Sequence, residues 1–74
     1  MSAKEMFEQL GYELTNNEYP EIRYMQKDYC ISFYLDDKCI ECYHNDFYTT
    51  SCSIELEELQ AINKQIEELG WDND

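Results

Sequence analysis

The chain has 74 residues, 17 of them acidic and 5 basic, which gives a formal net charge of −12. This charge argues against binding nucleic acid through its phosphates, because such binding needs clustered lysine and arginine side chains. Apolar residues make up 43% of the chain, with 7 tyrosines, 3 phenylalanines and 1 tryptophan. That content argues against a disordered acidic tail and predicts one folded domain over residues 1–74.

No positively charged leader is followed by an apolar run, and no stretch has the length and apolarity of a membrane span. The interpretation is a cytoplasmic protein that does not associate with a membrane. Its cysteines would then be reduced, since the cytosol keeps thiols in that state.

The chain opens with the pattern of a short helix. Ser2 and Glu5 have the spacing of a capping box, and Phe7 and Leu10 would share one helical face. Gly11 predicts the end of this helix, because glycine readily adopts the left-handed conformation found there.

The middle of the chain alternates apolar and polar residues, as strands do. The strongest predicted strand runs from Tyr29 to Leu35, between weaker ones over Glu21 to Lys27 and Cys39 to His44. A brief strand before them (Tyr12 to Thr15) and one after them (Phe47 to Ile54) would complete the set. Turn signals fall between the strands, at Asn16–Glu18, Lys27–Asp28, Asp36–Lys38 and Asn45–Asp46.

The pairing register follows from the alternation, because a slip of one residue moves every side chain to the other face. We expect Tyr24 opposite Ile31 in one hairpin, and Leu35 opposite Ile40 in the next. Both hairpins then assign one inner face, made of Ile22, Tyr24, Ile31, Phe33, Leu35, Ile40 and Cys42. The outer face would carry Arg23, Met25, Cys30, Ser32, Tyr34, Glu41 and Tyr43.

A longer helix is predicted between Ile54 and Trp71. Its apolar residues recur at helical spacing, at Leu56, Leu59, Ile62, Ile66 and Leu69. We expect Glu55 as the cap, a hydrophobic staple between Ile54 and Leu59, and a left-handed stop at Gly70 after which Trp71 folds back. The predicted fold class is therefore α+β: a short helix, an antiparallel meander of four to five strands, and a longer helix. Both helices should cover one sheet face.

The two ends of the chain, AKEMFEQLGY (Ala3 to Tyr12) and AINKQIEELGW (Ala61 to Trp71), carry a family resemblance. In these segments the chain resembles small uncharacterised proteins of prophages in Gram-positive bacteria. The middle matches only as a loose pattern of aromatic strands. The resemblance implies an intracellular accessory role, encoded by a phage, and it supplies no activity and no site residues.

The cysteines, together with His44, raise two chemical hypotheses. A zinc site would use Cys39 and Cys42, with Cys30 and Cys52 as the second pair, yet the predicted register places Cys39 and Cys42 on opposite faces of the sheet. We therefore predict no metal site and no cofactor, and keep a cysteine-based metal module as an alternative. Catalysis by Cys42 with His44 is not predicted, because no orienting group, oxyanion donor or pocket accompanies them.

Two surface features point to protein binding. Met25, Tyr34 and Tyr43 would stand together on the outer face, and tyrosine and methionine are enriched in interfaces. Glu57, Glu67 and Glu68 would stay in water on the long helix, although the helix dipole disfavours anions in its last turn. We interpret the chain as a non-enzymatic module that binds a basic protein surface, acting as a phage-encoded modulator. A nucleic-acid mimic is the second interpretation, and the outer face also leaves a homodimer open.

Overall fold

The computed structural model describes residues 1–44 and 53–72. Its helices and strands follow in the order α1 (Ala3–Gln9), β1 (Glu13–Glu18), β2 (Glu21–Gln26), β3 (Tyr29–Tyr34), β4 (Cys39–His44) and α2 (Leu56–Leu69). The strands form one antiparallel sheet in the order β1-β2-β3-β4. The predicted α+β meander is confirmed. The predicted strand from Phe47 to Ile54 falls for the most part outside the described residues.

Helix α1 has the predicted capping box. The Glu5 amide donates to Ser2 Oγ at 3.1 Å, and the Ser2 amide donates to Glu5 Oε1 at 3.0 Å. This contact between the Ser2 amide and the carboxylate lowers the pKa of Glu5. Gly11 follows the helix with φ +95°, where a Cβ would come within 2.5 Å of Gln26 Oε1. Both ends of α1 are thus fixed by local chemistry that the sequence displays.

The β2–β3 hairpin has the predicted register, with Tyr24 opposite Ile31. The β3–β4 hairpin is displaced from the prediction by two residues, so that Ile40 lies opposite Phe33 and not Leu35. Leu35 is outside the strand, and its amide donates to the Pro20 carbonyl at 2.8 Å. Because a shift of two residues preserves the alternation, every side chain keeps its predicted face.

Strand β1 is longer than the sequence suggested. Residues 16–18, read as a turn, continue the strand, and the turn lies at Tyr19–Pro20. An irregularity between Leu14 and Asn16 leaves Thr15 without a partner in the pairing register. The Asn16 side-chain amide donates to the Glu21 carbonyl at 3.0 Å, so the polar residue is held by the neighbouring strand.

The core lies between the inner sheet face and the two helices. Phe7 of α1 stacks on Tyr24 with ring centroids 4.0 Å apart, and it meets Tyr12 and Phe33 edge-on at 5.6 and 6.2 Å. These rings are buried together with Ile22, Ile31, Ala61 and Ile62. A single aromatic side chain of α1 therefore contacts β2, β3 and Tyr12, the residue that precedes β1.

Helix α2 begins and ends as predicted. The Glu55 amide donates to Glu58 Oε1 at 2.8 Å, and Gly70 is left-handed with φ +74°. Trp71 folds back against the core, 6.4 Å from the Phe33 ring between centroids. The end of the helix is thereby closed over the aromatic cluster.

The buried side of α2 differs from the predicted apolar side, which consisted of Leu56, Leu59, Ile62, Ile66 and Leu69. Ala61, Ile62 and Gln65 are buried, whereas Leu56 and Leu59 keep 65% and 45% of their surface exposed. The prediction was wrong for the first turn because it counted apolar residues only. Buried Gln65 accepts a hydrogen bond from the Tyr24 hydroxyl at 2.8 Å, so the polar side chain lies in the core without an unsatisfied oxygen.

Two more polar contacts hold α2 in place. The Tyr12 hydroxyl donates to the Glu58 carboxylate. The Ala3 amide donates to Glu68 Oε2 at 2.8 Å. Glu68 is exposed, as predicted, and its carboxylate is in addition held by this hydrogen bond to α1. Its position in the last turn of α2 is explained by α1, whose free N-terminal amides favour an anion.

Candidate functional site

The sheet face turned away from the helices, named the outer face here, is the candidate site. Side chains of residues paired across antiparallel strands point to the same side of the sheet. One row across it joins Met25, Cys30 and Tyr43, and the next joins Arg23, Ser32 and Glu41. The predicted residues Met25, Tyr34 and Tyr43 therefore share one face.

An ion pair lies at the β2 side of the outer face. Arg23 donates to both carboxylate oxygens of Glu21, from Nε at 3.0 Å and from Nη2 at 2.8 Å. These bonds lower the pKa of Glu21 and raise that of Arg23, because each stabilises the charged form of its partner. Two hydrogen bonds of this kind, between a guanidinium and both oxygens of a carboxylate, are stronger than bonds between neutral groups. Glu21 therefore neutralises the charge of Arg23 within the protein.

Two small polar side chains are buried in the middle of this face. Cys30 and Ser32 are each 1% exposed, and Cys30 Sγ lies 3.6 Å from Ser32 Oγ. Tyr43 pairs with Cys30 across the sheet, and this neighbour raises the pKa of Tyr43. The outer face is therefore not a row of free side chains in water. It is a polar layer in which long side chains enclose short ones.

The exposed part of the outer face consists of the two tyrosines and nearby carboxylates. Tyr43 is 42% exposed, and Tyr34 and Met25 are half-buried. The Tyr34 hydroxyl donates to Glu41 Oε1 at 3.2 Å, so that its ring is oriented along the sheet. Partial burial raises the pKa of Tyr34, and the negative charge of Glu41 adds to this rise, whereas Ser32 opposes it. Such rings present apolar area to a partner at low entropic cost, since they are already held.

Carboxylates surround this area. Glu13 and Glu18 of β1 pair with outer-face residues of β2 and are exposed, as is Glu41 of β4. Among the described residues on β1 to β4 that point to this side, Arg23 is the sole cation, and Glu21 neutralises it. The outer face is therefore net negative.

The other predicted carboxylates do not join this face. Glu57 and Glu67 are exposed on α2, and Glu67 Oε1 lies 3.4 Å from Lys64 Nζ. Because α2 packs on the inner face, these groups are on the opposite side of the molecule from Tyr34 and Tyr43. One flat partner surface cannot contact both sets.

The cysteines separate as the sequence predicted. Cys39 pairs with Tyr34 on the outer side and is exposed, whereas Cys42 pairs with Ile31 and packs against the core. Within residues 1–44 and 53–72, no group of three or more potential ligands is placed to hold a metal ion. Cys42 is disulfide-bonded, so the expectation of reduced cysteines is wrong for this residue. Cys30 and Cys39 are free thiols.

Sequence reasoning missed the polar layer. Alternation assigned Cys30 and Ser32 to the solvent side, and they are as inaccessible as the core residues Ile31 and Phe33. The available signal was their small size in the central strand next to long neighbours, since such neighbours can extend over them.

No protein-family model matches the chain, and no curated protein or solved structure is similar to it. Among the described residues, no helix combines the length and the apolarity that crossing a bilayer requires.

Proposed function

We propose that this chain is a non-enzymatic protein-interaction module whose outer face binds a basic surface of another protein. The observation that carries the proposal is the charge pattern of that face. Glu21 neutralises Arg23 within the molecule, and the exposed carboxylates around Tyr34 and Tyr43 have no such cation among the described outer-face side chains. A basic partner would supply the missing cations.

The tyrosines and methionine would provide the apolar centre of the contact. Tyr43 and Tyr34 expose ring area on the same face as Met25, which shares a row with Tyr43. Aromatic residues and methionine are enriched at interface cores, and charged residues collect at the rim. The carboxylates would speed association and make it sensitive to salt, because they act over a distance that ions screen.

The proposal includes a cytoplasmic location and a role as a phage-encoded modulator, which rests on the resemblance of the chain ends. The disulfide at Cys42 weighs against the location, because the cytosol keeps thiols reduced. Alkylating the protein inside living cells and counting blocked cysteines by mass spectrometry tests it. Four blocked cysteines support a reduced cytoplasmic protein, and two indicate that the disulfide persists.

The experiment for the contact itself is a capture from a Gram-positive bacterial lysate at low and high salt. The captured protein is then purified, and its affinity is measured for wild type and for Tyr43→Ser. We expect a basic partner, capture that is lost at high salt, and an affinity at least about tenfold lower for the variant.

Tyr19→Ser is the matched control, because Tyr19 is also exposed, at 72% against 42% for Tyr43. Tyr19 lies in the turn between β1 and β2, outside the strands that form the outer face. Equal losses of affinity in both variants would mean that exposed tyrosines contribute to binding wherever they lie on the molecule. Binding that is indifferent to salt and to Tyr43 would contradict the proposal.

A further inference from the structure

A groove crosses the junction between the end of α1 and the start of α2. It consists of two hollows of about 200 and 150 Å³. Leu10 and Glu57 line both of them, so the hollows are adjacent. Pockets for small organic ligands usually measure about 300–1,000 Å³. Each hollow is therefore of a size for a single side chain and not for such a ligand.

Apolar side chains at this groove are exposed in the part of the chain that the structure describes. Met6 and Leu10 line the second hollow together with Gln60. Leu56 lies one helical turn before Gln60, on the same side of α2, and is 65% exposed. A leucine so placed makes no contribution to the core, because the buried side of α2 is formed by Ala61, Ile62 and Gln65.

The charged side chains among the described residues that line the groove are all acidic. Glu55, Glu57 and Glu58 are in its lining, and none of the described lining residues is a lysine or arginine. The Glu58 carboxylate is fixed by the Tyr12 hydroxyl, and the Glu55 and Glu57 side chains are exposed. A ligand with apolar anchors and positive charge is complementary to this surface.

We propose that the groove binds a basic amphipathic helix of a partner protein. Leucine-like side chains would enter the two hollows, and lysine or arginine side chains beside them would face Glu55 and Glu57. Helices bind grooves in this way through apolar anchors spaced three or four residues apart. The groove lies on the helical side of the molecule, so this inference is independent of the outer face.

The test uses a designed peptide of about 14 residues, built from leucine and lysine with leucines at helical spacing. A second peptide has the same composition in an order without that spacing. The protein is labelled with ¹³C at its methionine methyl groups and titrated with each peptide. Met6 reports on the groove and Met25 on the outer face. We expect the Met6 signal to shift with the first peptide, the Met25 signal to stay, and the second peptide to bind at least about tenfold more weakly.

Two variants that add the same positive charge, one inside the groove and one outside it, test whether the acidic lining contributes to binding. Gln60→Lys adds a cation to the groove lining, and Asn63→Lys adds the same charge at an exposed position of α2 outside it. We expect Gln60→Lys to weaken the first peptide at least about tenfold and Asn63→Lys to weaken it less than about threefold. Equal effects of the two variants, a shift of Met25 in place of Met6, or no binding of the first peptide would each overturn the inference. These results do not bear on the affinity of an outer-face partner for Tyr43→Ser. The proposed function is therefore tested separately.

Discussion

The two faces of the sheet are buried by different means. On the inner face, Ile31 and Phe33 are covered by aromatic rings and by the two helices. On the outer face, Cys30 and Ser32 of the same strand are nearly as inaccessible, and Cys30 Sγ lies 3.6 Å from Ser32 Oγ. Burial on the inner face removes apolar area from water, whereas burial on the outer face encloses two small polar side chains.

This difference separates the side chains that we expect to determine stability from those that we expect to determine association. Removing a ring from the inner face leaves a cavity that the surrounding elements cannot fill. Removing a side chain from the edge of the outer layer exposes groups that water can satisfy. We therefore expect stability to depend on the inner face, and association to depend on the outer face.

The largest effect is expected at Phe7. Its ring contacts Tyr12, Tyr24 and Phe33, so Phe7→Ala should cost about 3–5 kcal/mol of unfolding free energy. Urea unfolding followed by circular dichroism measures it, with Tyr43→Ala on the outer face as the comparison. If Phe7→Ala is unfolded at the outset, Phe7→Leu supplies the smaller cavity needed for a measurable transition. Equal losses at Phe7 and Tyr43 would remove the distinction between the faces.

Tyr24 should give the next effect, because its hydroxyl serves a buried partner. Tyr24→Phe leaves the buried Gln65 oxygen without its donor, which should cost about 1–3 kcal/mol. Tyr34→Phe removes a hydroxyl from an exposed hydrogen bond with Glu41, and it should cost less than about 0.5 kcal/mol. The same urea experiment compares the two. A larger loss for Tyr34→Phe would mean that the outer layer supports the fold.

Alkaline pH should also act on the inner face. Burial raises the pKa of Tyr24 to about 12, and burial together with Glu58 raises the pKa of Tyr12 above its ordinary value of 10.0. In the unfolded chain both hydroxyls ionise near pH 10, so the stability they provide is complete below that pH and is lost as the pH rises towards 12. Circular dichroism and phenolate absorbance should therefore change together in this window. A sheet that persists after all 7 tyrosines have ionised would contradict the expectation.

Glu68 and Glu67 provide the smallest contrast. Glu68→Gln weakens the interaction with the N-terminus of α1 and should cost about 0.3–1 kcal/mol. Glu67→Gln, one position earlier, loses only an exposed contact with Lys64 and should be neutral within about 0.5 kcal/mol. Thermal unfolding of the two single variants resolves the difference. Equal stability would show that the contact between Glu68 and the Ala3 amide does not contribute in solution.

Sequence alternation predicted the faces of the sheet better than its registers. The Lys27–Asp28 turn has two residues, which leaves a single register for the β2–β3 hairpin, and that register is confirmed. The next turn is longer and contains Lys38 with φ +52°, so alternation alone could not count its residues. The error of two residues left each side chain on its predicted face and changed only its partner on the neighbouring strand.

Contacts of α2 with β2 and with α1 could not be predicted from the sequence, for a different reason. Gln65 and Glu68 are polar residues, and a helical pattern assigns them to water. Their partners, Tyr24 and the Ala3 amide, are 41 and 65 residues away in the chain. The unfavourable charge in the last turn of α2 was a visible signal, yet only the packed arrangement shows which amide the carboxylate accepts from.

The most direct test of the central claim is a titration of the ¹³C-methionine-labelled protein with the captured basic partner. Met25 reports on the outer face and Met6 on the groove between the helices. We expect the Met25 signal to shift at low salt, to return to its free position at high salt, and to need at least about tenfold more partner for the same shift in Tyr43→Ser. A partner that shifts Met6 and leaves Met25 unchanged would contradict the assignment of the outer face as the contact surface.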